Sequence, residues 1–259
     1  MIQFFVSTRY VFNMLMAILL LPVLYVAGRR VLKNMPKLPE PTDTVGFVDV
    51  DAEREFQLLI LGESTMAGVG VASHAEGFAG SVAQLLATQT NKNIHWQVHA
   101  KSGYTAKQIA KKIVPTITMS SADLIMIGLG ANDTFTLNPP WCWQRHIRTL
   151  IQQLRQAYPH APIIFLHMPP IRTFPALPPL LRFFMGNQAA LLSNALAQTI
   201  AHYPNIYFPE ESFSLHRWQQ QANGSYEQLF SDGVHPSELA YGLWAKEIAK
   251  YMSSQNISI

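Results

Sequence analysis

The chain has 259 residues, 49% of them hydrophobic and 14% charged, with a formal net charge of +3. That length suits one large or two small domains, and so small a charge without a long basic run argues against a nucleic-acid partner. The single cysteine, Cys142, excludes an internal disulfide, and no Cys/His group has the spacing of a zinc site.

Val11 to Gly28 carries no charge and is mostly Leu, Met, Val and Ala, near the minimum length for crossing a bilayer, although Asn13 and Pro22 interrupt it. Val26-Ala27-Gly28 could serve as a signal-cleavage site, but Arg29, Arg30 and Lys33 follow at once. Residues 1–28 are therefore expected to form an uncleaved hydrophobic helix that ties the protein to a membrane. Arg29, Arg30, Lys33 and Lys37 outweigh Arg9, which leans the following domain toward the cytoplasmic side; a periplasmic or extracellular domain stays open. Residues 29–54 read as a basic, proline-rich linker, and the globular domain as 55–259.

From there short apolar runs alternate with helical patterns. Strands are expected at Phe56–Leu61, Ile94–His99, Leu124–Gly128, Ile163–His167 and Ile206–Phe208. Helices are expected at Phe78–Thr90, Thr105–Ile113, Trp141–Tyr158, Asn187–His202 and Glu238–Met252. This alternation predicts an α/β three-layer sandwich: a mostly parallel five-stranded sheet with helices on both faces. Ligands in such sheets sit beyond the carboxyl ends of the strands.

Three motifs fall at three successive strand ends. Leu59-Ile60-Leu61-Gly62-Glu63-Ser64-Thr65 ends the first, Ser102-Gly103 follows the second, and Gly130-Ala131-Asn132-Asp133 follows the third. Ser64 suits a nucleophile at the top of the sheet, with Gly62 easing the turn and a nearby helix start aiming N–H groups at the site; it equally suits a helix N-cap. Asp232-Gly233-Val234-His235-Pro236 sets a carboxylate and an imidazole three residues apart. It reads as a base and its orienter, or as an Asx-turn beside a surface histidine. The Asn132 amide and the Gly103 N–H could donate to an oxyanion or be loop punctuation, and Asp133 reads as a brace. His95 and His99 lie i, i+4 on a strand and read as strand-face residues rather than metal ligands.

Gly62-Glu63-Ser64-Thr65, Ser102-Gly103, Gly130-x-Asn132-Asp133 and Asp232-x-x-His235-Pro236 together resemble the four blocks of the SGNH (GDSL-type) hydrolases, in family order, over about Phe56 to Met252. The resemblance implies a flavodoxin-like hydrolase fold with Ser64 as nucleophile, His235 as base and Asp232 behind it. It implies an oxyanion hole from the N–H groups of Ser64 and Gly103 and the Asn132 amide, with no metal or organic cofactor. It points to a serine esterase or acylhydrolase acting on small-molecule or lipid esters, lysophospholipids included. An acyltransferase on the same fold is the alternative, and a non-catalytic binding module a weaker one. Glu63 stands where the family pattern has Asp, which touches the bracing of the loop rather than the chemistry.

Met168 to Gly186, after the fourth strand, is rich in Pro and Phe and reads either as an apolar flap at the site or as an irregular connection. Phe174, Arg172 and Arg182 within it, and Trp141 just past the Asn132 loop, are the candidate substrate-binding residues. The oligomeric state is open.

Overall fold

The structure, a computed structural model, describes residues 2–209, 215–221 and 225–257. Six strands form one sheet: β1 Val45–Val48, β2 Glu55–Gly62, β3 Asn93–Ala100, β4 Leu124–Gly128, β5 Ile163–Phe165 and β6 Ile206–Tyr207. Their order is β1-β3-β2-β4-β5-β6. The five expected strands are all present and pair in parallel, each near its expected bounds. The sixth corrects the expectation of five, because β1 lies in the segment read as a linker and pairs antiparallel with the edge of β3. It was hidden because it is short, turns Val45 and Phe47 to solvent and presents Gly46 inward. A Cβ on Gly46 would fall 2.0 Å from the Trp96 ring.

The helices are α1 Ile2–Leu19, α2 Leu21–Asn34, α3 Phe78–Thr90, α4 Ala106–Gln108, α5 Ala131–Phe135, α6 Pro140–Ala157, α7 Pro179–Ile200, α8 Leu215–Gln221 and α9 Glu238–Ser254. A π turn, Ile109–Ile113, continues α4, so the helix expected over Thr105–Ile113 is split in two. Helix α7 begins eight residues earlier than the periodicity indicates. Pro179 takes its first turn, where a missing N–H costs nothing.

The central strands β4 and β5 are apolar on both sides because both sides are covered, whereas β3 alternates and leaves His95, Gln97 and His99 on a partly open face. Along β2, Leu58 and Ile60 face a core shared with Phe78, Val82 and Leu86 of α3 and Tyr241, Trp244 and Ile248 of α9. Leu59 and Leu61 face the opposite core, built with Ile147, Ile151 and Leu154 of α6 and Leu192 and Leu196 of α7. A one-residue slip would exchange these faces, so the pattern fixes the register.

The single N-terminal helix is also corrected. Residues 2–34 form two helices bent by 83°, and no single one is long and apolar enough to cross a membrane. Pro22, in the first turn of α2, cannot donate back into α1 and breaks the run there. The pair packs on the domain through a third apolar cluster, in which Ala17 and Leu24 meet Ile171, Phe174, Leu181 and Phe184. Part of the Met168–Gly186 flap is thus a connection buried beneath α1 and α2.

Candidate active site

The ends of three neighbouring strands are level: Gly62 pairs with Ala100 on one side and Gly128 on the other. Gly62 is required here by close approach. A Cβ on it would sit 2.2 Å from the Gly128 carbonyl and 2.5 Å from Met66 Cγ. Met66, buried beneath the Ser64 turn, fills the space that two side-by-side glycines leave.

Ser64 lies in a run of turns over residues 63–70, held by Ala67 N–H to Glu63 O (2.8 Å) and Val69 N–H to Ser64 O (3.1 Å). The next helix, α3, starts only at Phe78 with Gly77 at its cap, so Ser64 caps no helix and no helix N-terminus begins beside it. Neither the Ser64 hydroxyl nor its N–H has a hydrogen-bond partner among the described residues.

Gly103 has φ +79°, a conformation that favours glycine, and its Cβ position opens on empty space. Its N–H likewise lacks a partner among the described residues. The loop that carries it is held from both sides: Lys101 N–H donates to Gly62 O (3.1 Å), and Ser102 N–H donates to the Glu40 carboxylate (3.1 Å). Asn132, in the first turn of α5, donates from its amide to Tyr104 O at 3.1 Å.

Glu63 is the hub beneath these loops. Its carboxylate accepts the N–H of Ala131 (2.6 Å) and of Asn132 (2.9 Å). Burial pushes its carboxyl up to about 8, against the pull of those two N–H groups and with a further push from Asp133. Asp133, also buried, accepts Ala106 N–H (2.8 Å) and the Asn138 amide (2.7 Å), and burial raises its carboxyl above the usual range. It braces the Asn132 loop against α4, as its place in the motif suggested.

On the other side, Asp232 Oδ2 and His235 Nδ1 lie 2.7 Å apart, the carboxylate 1% exposed and the ring 15%. Asp232 Oδ1 accepts the N–H of Val234 (2.9 Å) and His235 (2.8 Å). Burial alone would raise its carboxyl, but the His235 ring and these N–H groups bring it below the usual carboxylate range. This turn is bonded to the Ser64 turn. Ser231 Oγ donates to Gly70 O (3.0 Å), and the Tyr241 hydroxyl, fully buried, is shared between Val69 O (2.8 Å) and Thr65 O (3.0 Å). Among the described residues no hydrogen bond joins Ser64 Oγ to His235, which is common before a substrate aligns the pair. Glu40, Tyr104 and Tyr241 were missed as supports. They carry no motif, and Glu40 sits in the presumed linker.

Of the candidate substrate residues, only Phe174 reaches the site. It lines an apolar pocket with Thr65, Trp218, Phe230, Val234 and Pro236, so the pocket borders the neighbours of both Ser64 and His235. Trp141 instead stacks edge-on against Tyr10 of α1, ring centroids 5.2 Å apart. Arg172 packs on Gly186 and donates to Asn187 Oδ1, facing α1 rather than Ser64. Arg182 lies half-buried on the first turns of α7, away from those pocket walls. His95 pairs with Glu55 at 2.7 Å on the sheet surface. Among the described residues no group of His, Cys, Asp and Glu could hold a metal ion.

A flavodoxin-like sheet with a serine, an Asp–His pair and two loop donors around its carboxyl ends defines the SGNH class of α/β proteins. A family model confirms the class: the chain belongs to the GDSL-like Lipase/Acylhydrolase family, matched over residues 60–243. A GDSL-like esterase of Mycobacterium tuberculosis is 27% identical over 193 residues, covering 74% of this chain and 60% of that relative's length. Among solved structures, TesA superposes with a TM-score of 0.56 at 18% identity, covering 76% of this chain and 98% of its own. The psychrotrophic esterase EstA from Pseudoalteromonas sp. gives 0.55 at 17%, covering 78% and 99%. These two establish the shared fold.

Proposed function

We propose that the protein is a serine acylhydrolase that cleaves carboxylic esters or thioesters through an acyl-enzyme on Ser64. The observation that carries this reading is the buried Asp232–His235 pair, 2.7 Å apart on a turn bonded to the Ser64 turn. Asp232 holds the proton on Nδ1 and so leaves Nε2 as the base. Ser64 Oγ attacks the acyl carbonyl as Nε2 takes its proton. The oxyanion is received by the N–H groups of Ser64 and Gly103 and by the Asn132 amide, which turns from its resting partners to do so. The imidazolium, stabilised by Asp232, protonates the departing alkoxide or thiolate. Water, activated by the same ring, then releases the acid. Membership of the family and the likeness to a GDSL-like esterase support this chemistry. The apolar pocket walled by Phe174 is about 40 Å³, room for a short acyl group, and a longer chain needs it to widen.

The test is hydrolysis of p-nitrophenyl esters from acetate to palmitate by the full chain and by Ser64→Ala, with products analysed in the presence of an added alcohol. Turnover that needs Ser64 and yields free acid is expected. Equal turnover by the variant refutes the mechanism, and an alkyl ester as main product makes the protein a transferase.

A further inference from the structure

Residues 1–39 contain Arg9, Arg29, Arg30, Lys33 and Lys37 and no Asp or Glu. The first acid, Glu40, is already engaged by Lys101 at 2.7 Å. The same segment carries a broad apolar face. Phe12, Leu15, Ile18, Leu19, Val23 and Val26 are each between 55% and 75% exposed. Scattered exposed apolar side chains are ordinary, but a run of this kind along two consecutive helices is not.

The opposite face of the helices is fixed to the domain. Asn13, Ala17 and Leu24 are buried, Asn13 Nδ2 donates to Phe184 O (3.5 Å) and the Tyr10 hydroxyl donates to Leu137 O (3.2 Å). At 1.5 Å per residue, α1 and α2 are roughly 27 and 21 Å long, each short of a hydrocarbon core of about 30 Å. Together they are long and apolar enough only as a pair broken by an 83° bend, and the buried Asn13, Ala17 and Leu24 hold that pair against the domain. Helices with an apolar face, flanking cations and no acid lie in the plane of a membrane surface.

We propose that α1 and α2 form an in-plane docking surface that seats the domain on a bilayer containing anionic lipids. The unopposed cations meet the headgroups while the apolar face enters the acyl boundary. Phe183, 54% exposed, extends that face from α7 across a groove it shares with Phe12 and Met16. On the inner side the helices rest on the cluster that contains Phe174, and Phe174 walls the pocket beside Thr65 and Val234. The helices thus stand between the docked surface and the cluster that walls the candidate ester site, which sets the domain at a fixed orientation to the bilayer.

The test is co-sedimentation of the full chain with sealed phosphatidylcholine vesicles, with and without phosphatidylglycerol. Turnover of a water-soluble ester is measured in parallel without vesicles, so that docking and hydrolysis are read separately. Binding that requires the anionic lipid is expected. Arg29→Gln/Arg30→Gln/Lys33→Gln should weaken it about a hundredfold, from about 1 kcal/mol per cation, and leave soluble-ester turnover unchanged. Phe12→Ser/Leu15→Ser/Leu19→Ser should abolish it. A tag at residue 1 should remain open to protease added outside the vesicles. Binding indifferent to the anionic lipid, a protected tag (a spanning segment), or a chain that self-associates and ignores vesicles would each overturn the proposal.

Discussion

Glu63 occupies an unusual position for a carboxylate: 1% exposed, with two backbone N–H groups as partners. Its folded pKa near 8 lies above the ordinary 4.5, so the folded protein binds more protons than the unfolded chain between those values. The stability this group contributes is complete below pH 4.5 and is lost as pH rises through about 8. Glu63→Gln should remove that slope from melting temperature against pH. Its NH2 must face the N–H of Ala131 or Asn132, which displaces the oxyanion loop and should lower kcat roughly ten- to a hundredfold. Asp232 has the opposite sign: its depressed pKa gives stability that is present above the ordinary 3.8 and lost as pH falls through the folded value. In Asp232→Asn the oxygen still accepts the N–H of Val234 and His235, but the NH2 faces Nδ1 and forces the wrong tautomer. Turnover should fall on the order of 10⁴-fold with the melting temperature at neutral pH changed far less. Loss of folding instead would make the pair a structural turn.

At the scale of elements, the site depends on how closely β2 and β4 lie at their ends. Gly62→Ala must displace the Gly128 carbonyl, which is backbone and cannot swing away. Chemical denaturation should show a cost of about 1–3 kcal/mol, with kcat reduced because Ser64 is two residues on. The strand–helix alternation was legible because β4 and β5, buried on both faces, are apolar throughout and β3 alternates cleanly, whereas β1, four residues long with outward Val45 and Phe47, left no such trace. The blocks around Ser64, Gly103, Asn132 and His235 were legible as short fixed patterns at strand ends. The surroundings of Trp141 and Arg172 were not legible, because Tyr10 meets Trp141 only through the packing of α1 on the domain and Asn187 meets Arg172 only because α7 begins early enough to fold back on the Met168–Gly186 connection. Periodicity cannot report a contact of that kind.

At the scale of the molecule, the N-terminal residues are part of the structure of the domain. Removing residues 1–35 would uncover Ile171, Phe174, Leu181 and Phe184. Calorimetry should then show a lower melting temperature, since each buried side chain of this size is worth about 1.5–3 kcal/mol. Beginning the chain at Glu55 should cost more, because β1 and the Glu40 grip on Ser102 are lost as well. An unchanged melting temperature in both would mean that the first 54 residues contribute nothing to the domain.

The most direct measurement is covalent trapping. The full chain and its Ser64→Ala and Asp232→Asn variants are treated with an alkyl fluorophosphonate and digested, and the modified peptide is identified by mass. Stoichiometric labelling of Ser64 in the native chain, slow labelling in Asp232→Asn and none in Ser64→Ala is the predicted result. A folded protein that hydrolyses esters while Ser64 stays unlabelled, or whose Ser64→Ala variant retains turnover, would contradict an acyl-enzyme on Ser64.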